Sequence, residues 1–365
     1  MSPSAALAAQ TSDSLWENPM GTDGFEFVEF TASDTAPIHA LFKSLGFTAV
    51  AKHKSKAATL YRQGDINFIV TEATETPGHA ADFTKVHGPC ASAMGFRVAN
   101  AAEAHEKLLA QGATDGPATA ARLMDVPAIE GIGGSLIYLV DHAGGDLYAR
   151  AFAPLDGVEQ APSGVGLKVL DHLTHNVDQG RMDHWAGFYE NLFNFRQIRF
   201  FDIEGQHTGL KSRAMTGPCG KLRIPINESS DDKSQIAEYL DQYNGEGIQH
   251  IALTTDDICA TVDALRANGV AFMTPPPETY YDMLDERLPG HGQPVEELKA
   301  RAILLDGTDN RHLLLQIFTE AVIGPIFFEI ISRQGDDGFG EGNFKALFES
   351  MERDQIRRGV LKVDE

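Results

Sequence analysis

Three residues of this chain combine metal-ligating types with strand-like settings. His172 stands in Val169-Leu170-Asp171-His172-Leu173-Thr174, His250 in Gly247-Ile248-Gln249-His250-Ile251-Ala252-Leu253, and Glu329 in Ile326-Phe327-Phe328-Glu329-Ile330-Ile331. A carboxylate inside an apolar run like the last is costly to bury unless it is paired or bound to a metal. Two neutral imidazoles and one carboxylate, each from its own strand, make the 2-His-1-carboxylate facial set. That set leaves positions open on the ion and suits non-haem Fe(II) and oxygen chemistry. The three are almost evenly spaced along the chain, as they would be if equivalent strands of a repeated unit each supplied a ligand. Strand alternation puts His172 on one face with Leu170, Thr174 and Asn176, and turns His175 to the other. It puts Phe327, Glu329 and Ile331 together, and it puts Gln249 on the face opposite His250. His207, His291 and His312 lack the strand-start setting and read as ordinary histidines.

The elements that must carry these residues form a repeat. A short strand, a turn-prone junction and an amphipathic helix occur four times, with strands starting near Phe25, Met94, Leu170 and Ile248. The second and fourth helices end at Gly112 and Gly269, where a left-handed C-cap is expected. Further strand-like runs follow, such as 58–61, 67–70, 135–140 and 311–318. Each unit therefore reads as one strand, one helix and about three strands. Sheets that small do not bury a face alone, so units should pair into curved half-barrels. The fold class expected is α+β, with two tandem half-barrel domains and a helix at the C-terminus.

Residues 1–22 read as a disordered tail, 23–160 as a first domain and 161–365 as a second, with the boundary in the Gly/Pro-containing stretch 154–166. In the first half the positions matching His172, His250 and Glu329 are approximately Glu29, Gly95 and Ala149. These cannot assemble the same set, so that half reads as scaffold or oligomer face. Phe344, Leu347, Phe348 and Met351 follow helical spacing after the glycine-rich stretch 335–342. A helix over 343–357 is expected there, either as a lid or as plain cover.

Composition narrows the function classes. The net charge of −22 argues against nucleic-acid and anionic-membrane binding. No apolar stretch approaches the roughly 18 residues of a membrane span, and the first residues lack the pattern of a signal peptide. Cys90, Cys219 and Cys259 are widely spaced and form no CxxC pair. Reduced thiols in the cytoplasm are expected.

Over nearly all of 168–365 the chain resembles the 4-hydroxyphenylpyruvate dioxygenase family of the vicinal oxygen chelate superfamily. The stretches that carry the resemblance are Leu170-Asp171-His172, Pro225-Ile226-Asn227-Glu228, Lys233-Ser234-Gln235-Ile236 and Gly247 to Leu253. They continue in order through Leu314-Leu315-Gln316-Ile317-Phe318-Thr319, Phe327-Phe328-Glu329-Ile330-Ile331 and Gly338-Phe339-Gly340-Glu341-Gly342-Asn343-Phe344. The resemblance implies Fe(II) on His172, His250 and Glu329. It implies oxidative decarboxylation, ring hydroxylation and side-chain migration of 4-hydroxyphenylpyruvate with O2, giving homogentisate and CO2 in tyrosine catabolism. It further implies a polar pocket of Ser212, Asn227, Gln235, Gln249 and Gln316, and aromatic walls from Phe318, Phe327 and Phe344. Asn343 would lie at the root of the terminal helix. Family habit implies a homodimer or homotetramer.

On their sequence setting alone, Asn227 reads as a turn residue after Pro225 and Gln235 as an exposed helix start. Hydroxymandelate synthase, which shares substrate and ligands, is the nearest alternative. An extradiol ring-cleaving dioxygenase would add a His or Tyr acid-base residue, for which there is no clear match. A metal-free binding protein of the superfamily would lack the three ligands. Gly338 to Gly342 has the wrong spacing for a dinucleotide-binding loop.

Overall fold

The computed structural model describes residues 14–143, 145–204, 209–340, 342–343, 345, 352 and 355–360. The first half runs β1 Phe25–Ala32, α1 Ala36–Ser44, β2 Thr48–His53, β3 Ala58–Gln63 and β4 Ile66–Glu72. It continues α2 His79–His87, β5 Cys90–Arg97, α3 Ala101–Ala110, β6 Ala128–Glu130, β7 Leu136–Val140, α4 Leu147–Ala151 and β8 Phe152–Pro154. The second half runs β9 Leu167–Val177, α5 Met182–Phe193, β10 Arg196–Glu204, β11 Gly209–Thr216, β12 Arg223–Ser229, α6 Gln235–Tyr243 and β13 Gly247–Thr255. It ends α7 Ile258–Ala267, α8 Glu278–Asp282, α9 Leu284–Arg287, α10 Val295–Arg301, β14 Leu304–Asp309, β15 His312–Phe318 and β16 Phe327–Gln334.

Each half makes one curled eight-stranded sheet, ordered β6-β7-β5-β1-β4-β3-β2-β8 and β10-β11-β12-β9-β13-β16-β15-β14. In both, two central strands pair antiparallel (β1 with β5, β9 with β13) and each takes a parallel neighbour on its other side. The second unit departs from the expected pattern. Only β6 and β7 follow α3 on its own side, and β8 crosses to pair with β2 at the far edge. Ala149 consequently falls in α4, and β7 occupies the place that β16 has in the second sheet.

Local chemistry sets the helix ends. Asn100 accepts from the backbone of Ala102 and Glu103 at the start of α3, and Asp257 accepts from Ala260 at the start of α7. Gly112 (φ +96°) and Gly269 (φ +87°) follow the C-termini of these helices in the left-handed region that spares glycine a Cβ clash. Residues 14–22 are not a free tail. Trp16 Nε1 donates to the Asn194 carbonyl at 2.7 Å, and Met20 and Thr22 are buried. The rest of the expected tail lies outside the described residues, as do Phe344, Leu347, Phe348 and Met351 of the expected terminal helix. Among the described residues no helix is long and apolar enough to cross a membrane.

The two sheets use their inner faces differently. Inside the first, Phe27, Val50, Ile69, Ala93, Leu136 and Tyr138 belong to one continuous apolar cluster. Inside the second, apolar packing is broken into three small groups around Phe201 and Phe339, around Phe318 and Phe327, and around Ala252 and Ile331. Polar side chains fill the gaps between them. The opposite faces merge into one core that spans both halves. There the Phe328 ring lies 6.2 Å from Phe30, 6.4 Å from Phe42 and 5.9 Å from Phe68, so the strand that carries Glu329 inward is anchored outward on the first half.

Candidate metal centre

Register places the three candidate ligands. Ala252 on β13 is directly opposite His172 on β9 and opposite Glu329 on β16, so these form one transverse row. In the next row His250 faces Thr174 on one side and Phe327 on the other. Residues directly opposite in a ladder share a face, so all three donors enter the same interior. Ala252 contributes only a methyl group between the two outer ligands.

The donors converge. His172 Nε2 lies 3.1 Å and His250 Nε2 3.4 Å from the same Glu329 oxygen, and all three donor atoms lie within 4.8 Å of one another. Donors about 2.1 Å from a divalent ion at right angles stand about 3 Å apart, so the separations fit one metal held facially. All three residues are buried.

Each donor is oriented by a second group. His172 Nδ1 donates to Asp171 Oδ2 at 2.8 Å, and His250 Nδ1 donates to Gln249 Oε1 at 3.0 Å. Both bonds direct Nε2 at the centre, the arrangement by which outer partners fix a ligating imidazole. The Thr174 hydroxyl lies 2.9 Å from His250 Nε2. Gln316 Nε2 donates to Glu329 Oε1 at 2.7 Å. Asn343 Nδ2 donates to Gln316 Oε1 at 2.8 Å, and the Tyr280 hydroxyl to Asn343 Oδ1 at 2.6 Å. Burial alone would raise the Glu329 carboxyl, but the charge and hydrogen bond of His172, then those of His250, hold it at about 2. Burial would likewise lower His172, yet Glu329 and Asp171 raise it, whereas burial prevails at His250 and lowers it. The imidazoles thus keep the buried Glu329 carboxylate ionised, while His250 stays neutral.

The remaining candidates surround the donors. Ser212 on β11 is opposite Asn227 on β12, which is opposite Asn176 on β9; all three are buried. Asn227 is thus mid-strand and not in a turn. Gln235 is buried as the first residue of α6, because Ser234 caps that helix by accepting from Ala237 N at 3.3 Å. Gln249 does not face away from His250. The pairing of β13 with β9 shifts register between Ile248 and His250, and this bulge turns Gln249 inward beside its neighbour. There its Nε2 donates to Gln235 Oε1 at 2.8 Å. The Phe327 ring stacks on His250 at 4.8 Å, with Phe318 edge-on to Phe327 at 6.2 Å.

Phe339, Thr174, Asp171 and Arg333 were not singled out as candidates. Phe339 puts its ring 5.5 Å from that of His172. Its place in the glycine-rich stretch, and Asp171's place directly before a candidate ligand, were the available signals; nothing in the sequence marked Arg333. A space of about 30 Å3 lies against the donors, walled by Phe201, Pro225, Phe318 and Phe339. A larger one of about 360 Å3 is lined by Gln235, Gln249 and Phe327 on its inner side and by Glu238, Gln242 and Glu320 further out.

Curled sheets of strand–helix–strand units, one of them enclosing two histidines and a glutamate on adjacent strands, define the vicinal oxygen chelate class. Residues 169–287 match the family described as Glyoxalase/Bleomycin resistance protein/Dioxygenase superfamily, and residues 16–152 match Hydroxyphenylpyruvate dioxygenase, HPPD, N-terminal. The chain is 57% identical over 350 residues to a 4-hydroxyphenylpyruvate dioxygenase of Pseudomonas aeruginosa, covering 94% of this chain and 97% of the relative. It is 59% identical to a Vibrio vulnificus protein named Hemolysin VllY, covering 94% and 98%. Among solved structures, a mutant 4-hydroxymandelate synthase from Streptomyces coelicolor superposes with a TM-score of 0.79 at 26% identity, covering 92% of this chain and 99% of the other. The chain belongs to the 4-hydroxyphenylpyruvate dioxygenase family.

Proposed function

We propose that this chain holds Fe(II) on His172, His250 and Glu329 and converts 4-hydroxyphenylpyruvate and O2 to homogentisate and CO2. The observation that carries the reading is the convergence of those three buried donors in a family member. Bound Fe(II) supplies open positions for the 2-oxo acid and O2, and the electrons that activate oxygen.

The protein's own part is positioning and exclusion of water. Gln316 leaves Glu329 one free oxygen by occupying the other, and Asn343 and Tyr280 hold Gln316 in that pose. Phe318, Phe327 and Phe339 form apolar walls that orient an aromatic ring. Asn227, Gln235, Gln249 and Ser212 offer neutral donors and acceptors to a phenol, which an amide serves in both senses without a charge. Asn227 Oδ1 is buried with no partner among the described residues, which supports an acceptor kept for a substrate hydroxyl. The space against the donors is far smaller than the 300 Å3 or more of common ligand sites, whereas the neighbouring one reaches that range. Ser212, Asn227, Phe318 and Phe339 line the smaller space and Gln235, Gln249 and Phe327 the larger, so a bound substrate would draw on residues of both.

The three cysteines are free thiols, which supports a reducing compartment, the cytoplasm. Ile198 and Phe200, exposed on the edge strand β10, support assembly into a homodimer or homotetramer.

Anaerobic reconstitution with Fe(II), followed by substrate and O2, is expected to yield homogentisate identified by mass and retention time. Hydroxymandelate as the product, or no product from iron-loaded protein, would overturn the reading. Asn227→Leu is expected to retain full iron but lose about 5- to 150-fold in kcat/KM, the cost of about 1–3 kcal/mol for one lost buried hydrogen bond. Unchanged kcat/KM would remove Asn227 from the pocket's polar set.

A further inference from the structure

Arg333 stands on β16 four residues beyond Glu329 and binds in two directions at once. Its Nε and Nη2 donate to the two Asp171 oxygens, both at 2.8 Å, in the bidentate geometry that suits guanidinium and carboxylate. Its Nη1 donates to the carbonyls of Asp336 at 3.0 Å and Gly338 at 2.6 Å. A second arginine repeats the bridge. Arg223 reaches Asp171 Oδ1 with Nη1 and Asp337 Oδ1 with Nη2, each at 3.3 Å. Asp171 is the residue that holds His172 Nδ1. The loop gripped by both arginines leads straight into Phe339, which walls the space before the donors, packs against His172 and lies under the Arg333 guanidinium at 5.8 Å.

We propose that Asp171, Arg333 and Arg223 form a positioning assembly that couples the orientation of His172 to the seating of loop 336–339 over the metal. The inference rests on the metal reading of the preceding section. A buried carboxylate such as Asp171 needs a paired charge in any case, and a purely structural pair would satisfy that need without touching the loop. Here the guanidinium that fixes the carboxylate behind the ligand also fixes the backbone that carries the wall residue. Displacing the loop withdraws the Asp336 and Gly338 carbonyls from Arg333, frees the guanidinium to shift, and loosens the support of His172. Linkage then requires reciprocity: a metal held by His172 stabilises the seated loop, and the seated loop raises metal affinity.

The test reads metal affinity and loop protection, not turnover. Co(II) is titrated into metal-free protein by calorimetry, and hydrogen exchange is followed over 334–340 with and without Co(II). In the unsubstituted protein Co(II) is expected to slow exchange in that loop. Arg333→Met is expected to weaken Co(II) binding about 10- to 100-fold, the range typical of outer partners of a ligating histidine, and to abolish the metal-induced protection. Arg333→Lys keeps the charge but not the fork, and is expected to lose the protection as well. Because Arg333→Met takes the bidentate partner from a buried carboxylate and leaves it only Arg223 and His172, the double variant Asp171→Asn/Arg333→Met serves as the folded control. It is expected to bind Co(II) no more weakly than Arg333→Met alone, the non-additivity of residues that act as a unit. Undiminished affinity in both the single and the double variant, or loop exchange indifferent to Co(II) in the unsubstituted protein, would overturn the coupling while leaving the metal site intact. Absence of Co(II) binding to the unsubstituted protein would overturn the metal reading, and this proposal with it.

Discussion

Protein carrying Glu329→Ala is expected to emerge from anaerobic reconstitution without iron and to consume no O2 with 4-hydroxyphenylpyruvate. Two imidazoles would remain, and neutral imidazoles do nothing to offset the charge of a divalent ion in a buried site. The other carboxylate close by, Asp171, is already committed to Arg333 and Arg223. The loss should therefore exceed the roughly 100-fold that removing an outer partner typically costs. His172→Ala and His250→Ala should behave alike, since each also empties a position beside the shared Glu329 oxygen. Glu329→Gln separates charge from shape. It keeps the side chain's length beside Gln316, so a folded, iron-free Glu329→Gln protein would assign the effect to the lost negative charge. Metal analysis after desalting and O2 uptake provide the two readouts. Full iron content together with normal turnover in any one of the alanine variants would sink the assignment.

The site was readable in the sequence to the degree that strand periodicity held. Glu329 stands with Phe327 and Ile331, and His172 with Thr174 and Asn176, because β16 and the part of β9 from His172 onward run regularly; a register shift at Asp171 instead sends Leu170, expected beside His172, into the opposite core. Gln249 was misplaced because a bulge is a property of two paired strands, and one strand read alone does not reveal it. Asn227 and Gln235 sit beside Pro225 and Ser234, residues that equally mark turns and helix starts. Which meaning applied depended on the register of β11, β12 and β9, a long-range matter. The same limit hid Arg333. Its significance lies in Asp171, a partner far away in the chain, and in the carbonyls of a loop that follows it. In the first half the helix periodicity was plain, but the crossing of β8 to β2 moved Ala149 off the sheet position assigned to it.

The two halves offer a natural comparison, because the first sheet contains a row built like the ligand row of the second. Glu29 on β1 faces Ala93 on β5, which faces Leu136 on β7, just as His172 faces Ala252 and Ala252 faces Glu329. The backbone arrangement is shared, so the different chemistry comes from the side chains. With Leu136 across the row, Glu29 is buried without a facing imidazole, accepting from the Thr71 hydroxyl at 2.7 Å beside a small space lined also by Thr76, Arg122 and Tyr138. Burial pushes its carboxyl from 4.5 up to about 7, against smaller lowering effects of Thr71 and Lys56. Glu329, equally buried but facing two histidines, moves the opposite way to about 2.

The displacement at Glu29 has a sign that can be worked out. Between about pH 4.5 and 7 the folded chain binds this proton more tightly than the unfolded chain does, so stability falls as pH rises through that window. Below 4.5 both states are protonated and the cost is absent; above 7 it is complete, at about 3 kcal/mol. Glu29→Gln removes the ionisation while keeping the shape. It is therefore expected to be more stable than the unsubstituted protein by about 3 kcal/mol at pH 8 and by less than about 1 kcal/mol at pH 5. Urea unfolding of both proteins across that range measures the difference directly. Because the two proteins differ only at this side chain, the gap between them isolates the effect of ionising Glu29. A gap that stays constant from pH 5 to 8 would mean that this carboxyl ionises near its ordinary value, and that the first sheet's interior is wetter than its packing implies.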